Sequence, residues 1–248
     1  MTTSPFSLEG KSILITGASS GIGRATAIIC AQLGARLVIT GRDENRLHNT
    51  LIDLEGKEHK LVICDLTNPE QVNQLVKSID SLNGIVYCAG TQETCITKML
   101  TEERIHHVIN TNFTSVALLN AAILSQKKIA KGASVVLVSS AAAHYVSEIG
   151  NAAYSASKGA VSAFGRVLAM ELAPRKIRVN MVAPAMVKTP IMDKFDISPE
   201  LFLEDEKKYP LGYGEPEDVA NTIVFLLSEA SRWMTGSEIL LDGGLTLH

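Results

Sequence analysis

The sequence predicts a single doubly wound α/β domain in which seven parallel strands carry helices on both faces. Three observations predict it. Seven short runs rich in Val and Ile are continuously apolar, as strands buried on both faces are, whereas one-sided strands alternate. Segments with a 3.6-residue apolar period separate these runs, and such alternation implies right-handed crossovers into a parallel sheet. A glycine-rich turn joins the first run to the first helical segment. The length of 248 residues suits one such unit spanning 1–248.

The first strand is expected at Ser12–Thr16 and the first helix at 21–33, stopping at Gly34. A second strand at 36–40 is followed by Asp43 and Glu44, acids that favour the positive end of the next helix. A third strand at 60–64 precedes Thr67-Asn68-Pro69-Glu70, a capping residue ahead of a first-turn Pro. The fourth strand, 84–87, leads to one long amphipathic helix at 101–124. The fifth strand, 134–138, leads to a helix at 152–173 that Pro174 ends. The sixth strand is at 178–182, a helix at 215–228 begins around Pro216, and Glu238–Leu241 is the seventh strand. Residues 185–214, with Pro190, Pro199 and Pro210, are the longest stretch of weak periodicity and are expected to be a substrate loop or lid.

Composition excludes several functions. Twenty-three basic against 26 acidic residues leave a net charge of −3, with no basic excess to neutralise a nucleic acid backbone. The four cysteines form no CxxC pair, so neither structural zinc nor a disulfide framework is indicated, and no metal is expected. The N-terminus lacks a basic region followed by an apolar run, and no uninterrupted apolar stretch nears the roughly 18 residues that span a bilayer. A cytoplasmic protein with no membrane partner is expected.

In a doubly wound sheet, ligands bind beyond the carboxyl ends of the strands where the strand order reverses. After the first strand comes Thr16-Gly17-Ala18-Ser19-Ser20-Gly21-Ile22-Gly23, then a helix. The glycines let backbone turn tightly against a pyrophosphate, whose charge meets the free N–H groups at the helix start. The second strand ends in Thr40-Gly41-Arg42. An acid there would bind the ribose hydroxyls of NAD and repel the extra phosphate of NADP. Arg42 can instead pair with a 2′-phosphate, so NADP(H) is favoured over NAD(H).

Tyr154-Ser155-Ala156-Ser157-Lys158 places a phenol and an ammonium four residues apart, on one face of a helix. A neighbouring cation favours the phenolate, which would lower the Tyr154 pKa toward neutrality and make it a workable acid/base. Ser139-Ser140, fourteen residues upstream of Tyr154 as counted from Ser140, offers a hydroxyl to a substrate oxygen on which charge develops.

Together these residues make the chain resemble the short-chain dehydrogenase/reductase family, over essentially its whole length and with the motifs in family order. The resemblance implies a single Rossmann-type domain and assigns Asn112, Ser140, Tyr154 and Lys158 as a catalytic tetrad. It implies cofactor contacts from Gly17, Ser19, Ser20, Gly21, Ile22, Gly23, Arg42, Asp65, Leu66, Ala89, Gly90, Val187 and Thr189, besides Tyr154 and Lys158. In that scheme Asp65 meets the adenine amino group, and Val187 and Thr189 hold the nicotinamide carboxamide. Lys158 lowers the Tyr154 pKa, and Asn112 anchors a water linking Lys158 to solvent. Two departures bear on cofactor affinity. The family's Asn-Asn-Ala-Gly is Tyr87-Cys88-Ala89-Gly90, which loses two amides that tie backbone together, and its Pro-Gly is Pro184-Ala185.

The resemblance implies interconversion of a ketone and a secondary alcohol, closest to 3-oxoacyl-thioester reductase-like members. Alternatives are a hydroxysteroid, polyol or sugar dehydrogenase, or a non-catalytic nucleotide-sensing subunit. Lys127, Lys128 and Lys131 form a basic patch before the fifth strand, ordinarily a solvated run, and Arg175 matches one arginine of the basic surface that receives an acyl carrier protein near the pocket in 3-oxoacyl-carrier-protein reductases. The second arginine of that surface is Ser134 here, so a carrier-linked substrate stays open. His144 could line the pocket or lie on a loop surface. His106 and His107 are adjacent and share no helical face for a metal. Small-residue faces at 117–122 and 152–169 permit the homotetramer common in the family.

Overall fold

The computed structural model describes residues 4–192 and 198–247. Its strands are β1 (Ser12–Thr16), β2 (Arg36–Gly41), β3 (Lys60–Ile63), β4 (Leu82–Tyr87), β5 (Ile129–Val138), β6 (Arg178–Pro184) and β7 (Glu238–Leu241). They form one sheet in the order β3-β2-β1-β4-β5-β6-β7, every pairing parallel. The order therefore reverses between β1 and β4, which places a crevice over their carboxyl ends.

The continuous apolar runs follow from burial on both sheet faces. Successive strand residues point to opposite faces. Leu14, Ile85, Val135 and Leu137 enter one core cluster, whereas Ile13, Ile15, Val86 and Val136 enter the other. The first cluster is covered by α3 (Pro69–Ser78), α5 (Ser115–Ser125) and α6 (Ala152–Leu172) through residues such as Leu75, Leu119 and Leu168. The second is covered by α1 (Gly21–Gln32) and α8 (Pro216–Leu227) through Ala27, Ile223 and Leu227. Each such leucine or isoleucine, withdrawn from water, contributes about 1.5–3 kcal/mol.

Local signals set the helix starts. Asp43 caps α2 (Glu44–Ile52) by accepting from the Arg46 N–H, and Asn68 caps α3 by accepting from the Glu70 and Gln71 N–H groups. The expected single helix at 101–124 is divided. It consists of α4 (Glu102–Ile109), a π turn (Asn110–Thr114) and α5, so an extra residue is accommodated where Asn112 sits. By length and composition Glu102–Ser125 is apolar enough to cross a membrane. Val116, Leu119 and Ile123 instead pack in the core shared with β4 and β5, as in a buried helix of a sheet domain.

The segment 185–214 is not all loop. Ser198 caps α7 (Pro199–Glu206) by accepting from the Leu201 N–H. Lys188 pairs with Glu206 and Glu215, each at 3.3 Å, and Val187 bridges to Gly214 in parallel fashion, so both ends of the segment are tied down. Part of the expected lid, 193–197, lies outside the described residues.

Candidate active site

A cavity of about 700 Å³ opens over the carboxyl ends of the strands. At one end lies the turn between β1 and α1. Gly17 has φ +66°, and a Cβ there would come within 2.8 Å of the Ala89 backbone. A Cβ on Gly23 would stand 2.3 Å from the Gly17 carbonyl oxygen. Only glycines let the turn fold this tightly onto the loop after β4. Ser20, the residue before α1, makes no side-chain cap, so the helix opens with N–H groups facing the cavity wall formed by Ser19, Ser20, Gly21, Ile22 and Gly23.

The loop across from it keeps its shape without the two amides noted in the sequence. The Thr16 hydroxyl accepts from the N–H groups of Cys88 at 3.1 Å and Ala89 at 3.2 Å, tying β1 to the start of that loop. Ala185 is not among the described non-glycine residues with positive φ, and its N–H donates to the Leu241 carbonyl. Its methyl group therefore requires no strained backbone. Ala89 and Gly90 line the cavity together with Leu66, Val187 and Thr189.

At the β2 tip, Arg42 is exposed, lines the cavity and forms no ion pair among the described residues. Asp43 is engaged: besides capping α2, it pairs with Arg46 Nε at 2.8 Å. Asp65 accepts from the Thr67 N–H at 2.9 Å and the Thr67 hydroxyl at 2.7 Å. Burial alone would raise its pKa. The Thr67 hydrogen bonds and the Arg42 charge outweigh that and hold the carboxyl below its ordinary value.

Ser140, Tyr154 and Lys158 meet at the other side of the cavity. The Ser140 side chain lies close enough to the Tyr154 phenol to favour its charged form, while its Oγ donates to the Pro184 carbonyl at 3.4 Å. Lys158 Nζ is 5.8 Å from the Tyr154 ring centroid and donates to the Val138 carbonyl at 2.9 Å. Ser139, the alternative hydroxyl, turns away to Ser162 at 2.7 Å and to the Lys158 carbonyl.

The expected electrostatic lowering of Tyr154 is not what this geometry gives. Burial raises the phenol pKa, the Ser140 side chain partly offsets it, and the Glu148 charge raises it further. The ammonium meant to lower it is itself weakened, since burial brings Lys158 down to about 8. Burial disfavours the charged form of both groups, and proximity on a helix face does not override desolvation.

Asn112 does not reach the cavity wall, unlike its neighbours Thr111 and Ser115. Its Oδ1 accepts from the Thr91 N–H at 2.7 Å, and its Nδ2 donates to the Thr91 carbonyl and to Ser157 Oγ, each at 2.9 Å. These bonds fix the loop after β4 against α6 and use both amide hydrogens but one lone pair of Oδ1; the second stays open to a water, and Oδ1 and the Lys158 Nζ both lie beside Gly90.

Two readings left open by the sequence take their place on the fold. His144 is on the loop surface and outside the cavity wall; its Nε2 pairs at 2.9 Å with Glu238, which also accepts from Ser162 of α6. Arg175 donates to the Ile129 carbonyl at 2.6 Å and Lys128 to the Ile79 carbonyl at 2.7 Å. This basic group gathers at the amino end of β5, the far end of the sheet from Ser140. Within one chain it does not border the pocket. Residues that the motif search passed over do border it: Gln92, Val146, Glu148, Asn151 and Tyr209. No motif contains them, and only the fold brings them together. Among the described residues no group of three His, Cys, Asp or Glu side chains could hold a metal ion.

A family profile described as Enoyl-(Acyl carrier protein) reductase matches residues 17–246. Glucose 1-dehydrogenase of Gluconobacter oxydans is 35% identical over 96% of this chain and 93% of its own length. The 3-oxoacyl-[acyl-carrier-protein] reductase FabG of Thermotoga maritima is 35% identical over 97% of this chain and 99% of its own. A crystal structure of a short-chain type dehydrogenase/reductase from Mycobacterium marinum superposes with a TM-score of 0.87 at 31% identity, covering 98% of each chain.

Proposed function

This chain belongs to the short-chain dehydrogenase/reductase family of oxidoreductases, and from that premise we propose that it interconverts a ketone and a secondary alcohol with NADP(H). The observation that carries the reading is the convergence of Ser140, Tyr154 and Lys158 on one cavity whose other end is the glycine turn at an uncapped helix start.

The residues fit a dinucleotide. Gly17 and Gly23 leave space that any Cβ would fill, and the α1 N–H groups suit a pyrophosphate. Asp65 keeps a carboxylate oxygen for the adenine amino group, and Arg42 stands free for a 2′-phosphate. Leu66, Ala89 and Gly90 would flank the nucleoside, and Val187 and Thr189 would hold the carboxamide. Bound there, the nicotinamide supplies hydride to the ketone carbon or takes it from the alcohol.

The protein handles the proton. With its pKa above the ordinary tyrosine value, Tyr154 is protonated at neutral pH, the state that donates to a carbonyl oxygen gaining negative charge. Ser140 orients that oxygen by a hydrogen bond. Lys158, charged below about pH 8, stabilises the phenolate left behind. Asn112 acts as a positioning residue through Thr91 and Ser157.

FabG-named relatives support a 3-oxoacyl thioester as substrate, and the glucose 1-dehydrogenase supports a sugar or polyol. The second class is favoured by the polar wall of Gln92, Asn151 and Glu148. A cytoplasmic homotetramer belongs to the same proposal, supported by exposed Leu118, Val167 and Met170 on α5 and α6. The test is Tyr154→Phe. Reduction of every ketone is expected to fall at least about a hundredfold, the contribution of a positioned acid, while NADPH binding persists. Retained turnover would remove Tyr154 from this role.

A further inference from the structure

Past Tyr154 the cavity ends on three polar side chains from two separate segments: Gln92, after β4, and Glu148 and Asn151, just ahead of α6. Asn151 is only 5% exposed, and its amide joins the other two. Its Nδ2 donates to Glu148 Oε2 at 2.6 Å, and Gln92 Nε2 donates to its Oδ1 at 3.0 Å. The carboxylate sets the direction of this chain, because an ionised carboxylate only accepts. Asn151 must turn its nitrogen toward Glu148 and its oxygen toward Gln92. Gln92 must then answer with its own nitrogen.

Three positions are left over: Gln92 Oε1, the second N–H of Asn151, and the other oxygen of Glu148. None of them is hydrogen-bonded to a described residue. Along the wall they run acceptor, donor, acceptor. The groups facing Glu148 from the lid are Asp205 and Lys208, and Lys208 is held by Asp205 at 2.8 Å. Glu148 is exposed at the cavity mouth, yet partial burial of its carboxyl and then Asp205 push it above the usual carboxylate range, with Lys208 opposing. Such a carboxylate gains from any hydrogen-bond donor that enters the pocket.

We propose that this wall selects substrates with hydroxyl groups on the carbons beside the reacting centre, so that the enzyme acts on polyhydroxylated ketones and their polyols. The proposal rests on the ketone–alcohol reading. A hydroxyl donates and accepts at once, so successive hydroxyls of one carbon chain match the acceptor–donor–acceptor order. An ammonium group has nothing to offer the Asn151 N–H, and an alkyl chain has nothing to offer any of the three. An acyl chain seated here would bury the Gln92 and Glu148 oxygens without donors. The facing wall of Ala142, Val146 and Ile191 is apolar and suits the carbon side of the same ligand.

The test compares matched ligands. Initial rates with NADPH would give kcat/KM for a linear 2-keto polyol, the deoxy 2-ketone of the same length, and a 3-oxobutanoyl thioester of N-acetylcysteamine. The wild type is expected to favour the hydroxylated ketone at least about tenfold, roughly one well-placed hydrogen bond. Glu148→Leu is expected to erase that preference, chiefly by loss on the hydroxylated substrate, whereas Glu148→Gln, which keeps an acceptor oxygen, retains part of it. Preference for the thioester or the deoxy ketone, or a ratio unmoved by Glu148→Leu, overturns the proposal. Calorimetric titration of a linear hexitol into Tyr154→Phe holding NADP+ reads recognition without turnover. Binding is expected, and it should disappear when Glu148→Leu is added; no binding overturns the proposal as well. Hexitol binding with no turnover of any ketone by the wild type would defeat the oxidoreductase reading alone. Ketone turnover without hydroxyl preference would defeat only the recognition reading.

Discussion

Replacing Arg42 with Ala isolates the cofactor choice. Arg42 lines the cavity beyond β2 and has no ion-pair partner among the described residues, so its removal breaks no salt bridge and takes away only the smaller part of the stabilisation of the Asp65 carboxylate, which the Thr67 hydrogen bonds keep. The neighbouring acid cannot substitute as a ribose ligand without abandoning α2, because Asp43 caps that helix and holds Arg46 at 2.8 Å. A charge-assisted hydrogen bond contributes about 1.5–3 kcal/mol, and exposure of the guanidinium argues for the lower end. At about 1.5–2 kcal/mol the loss is roughly 10- to 30-fold in NADPH affinity. NADH, which lacks the phosphate, should change less than about threefold. Fluorescence titration of both nucleotides against wild type and Arg42→Ala measures this. Repeating it at higher ionic strength should shrink the wild-type advantage for NADPH, since exposed charges are screened within roughly 10 Å at 0.1 M salt. Equal losses for the two nucleotides would refute the phosphate contact.

Three other outcomes are expected. The kcat/KM for reduction should hold steady at neutral pH and fall as pH rises through about 8, because Lys158 loses its proton there and kcat/KM reports the free enzyme; a plateau extending to pH 10 would contradict this. Thr16→Val should leave the Cys88 and Ala89 N–H groups without their acceptor, costing about 1–3 kcal/mol in urea unfolding and weakening NADPH binding. Unchanged stability would show that this loop is held by other means. Asn112→Ala should cost about 1–3 kcal/mol in urea unfolding, since its amide ties Thr91 to Ser157; unchanged stability would show that the loop after β4 is held against α6 by other means.

Much of this architecture is legible in the sequence because burial on both sheet faces leaves a plain mark. Ser12–Thr16 and Glu238–Leu241 can be bounded from their apolar runs alone. Caps at Asp43 and Asn68 are legible because a side-chain oxygen next to the chain start has one local use. The π turn at Asn110–Thr114 is hidden, since one added residue shifts the apolar period too little to break it. The helix Pro199–Glu206 is hidden for a different reason. Its start, Ser198-Pro199-Glu200, carries a local capping signal that the weak apolar periodicity around it masks, while its ties of Lys188 to Glu206 and Tyr213 to Asp205 are contacts across the fold. Gln92 and Asn151 stand 59 residues apart and carry no motif, so the polar wall exists only once β4 and α6 converge.

The same limit explains why the phenol was expected to move in the wrong direction. A spacing of four on a helix establishes that Lys158 and Tyr154 are neighbours, and it says nothing about the water around them. Burial disfavours the charged form of each, so Tyr154 rises, Lys158 falls to about 8, and a carboxylate nearby adds to the rise. For an acid this is no defect. A proton donor must hold its proton until charge develops on the substrate oxygen, and a phenol already ionised at pH 7 would have nothing to give. On the proposed mechanism this desolvation suits the reductive direction, and Lys158, still protonated below about pH 8, would pair with the anion left at Tyr154 once its proton is given up.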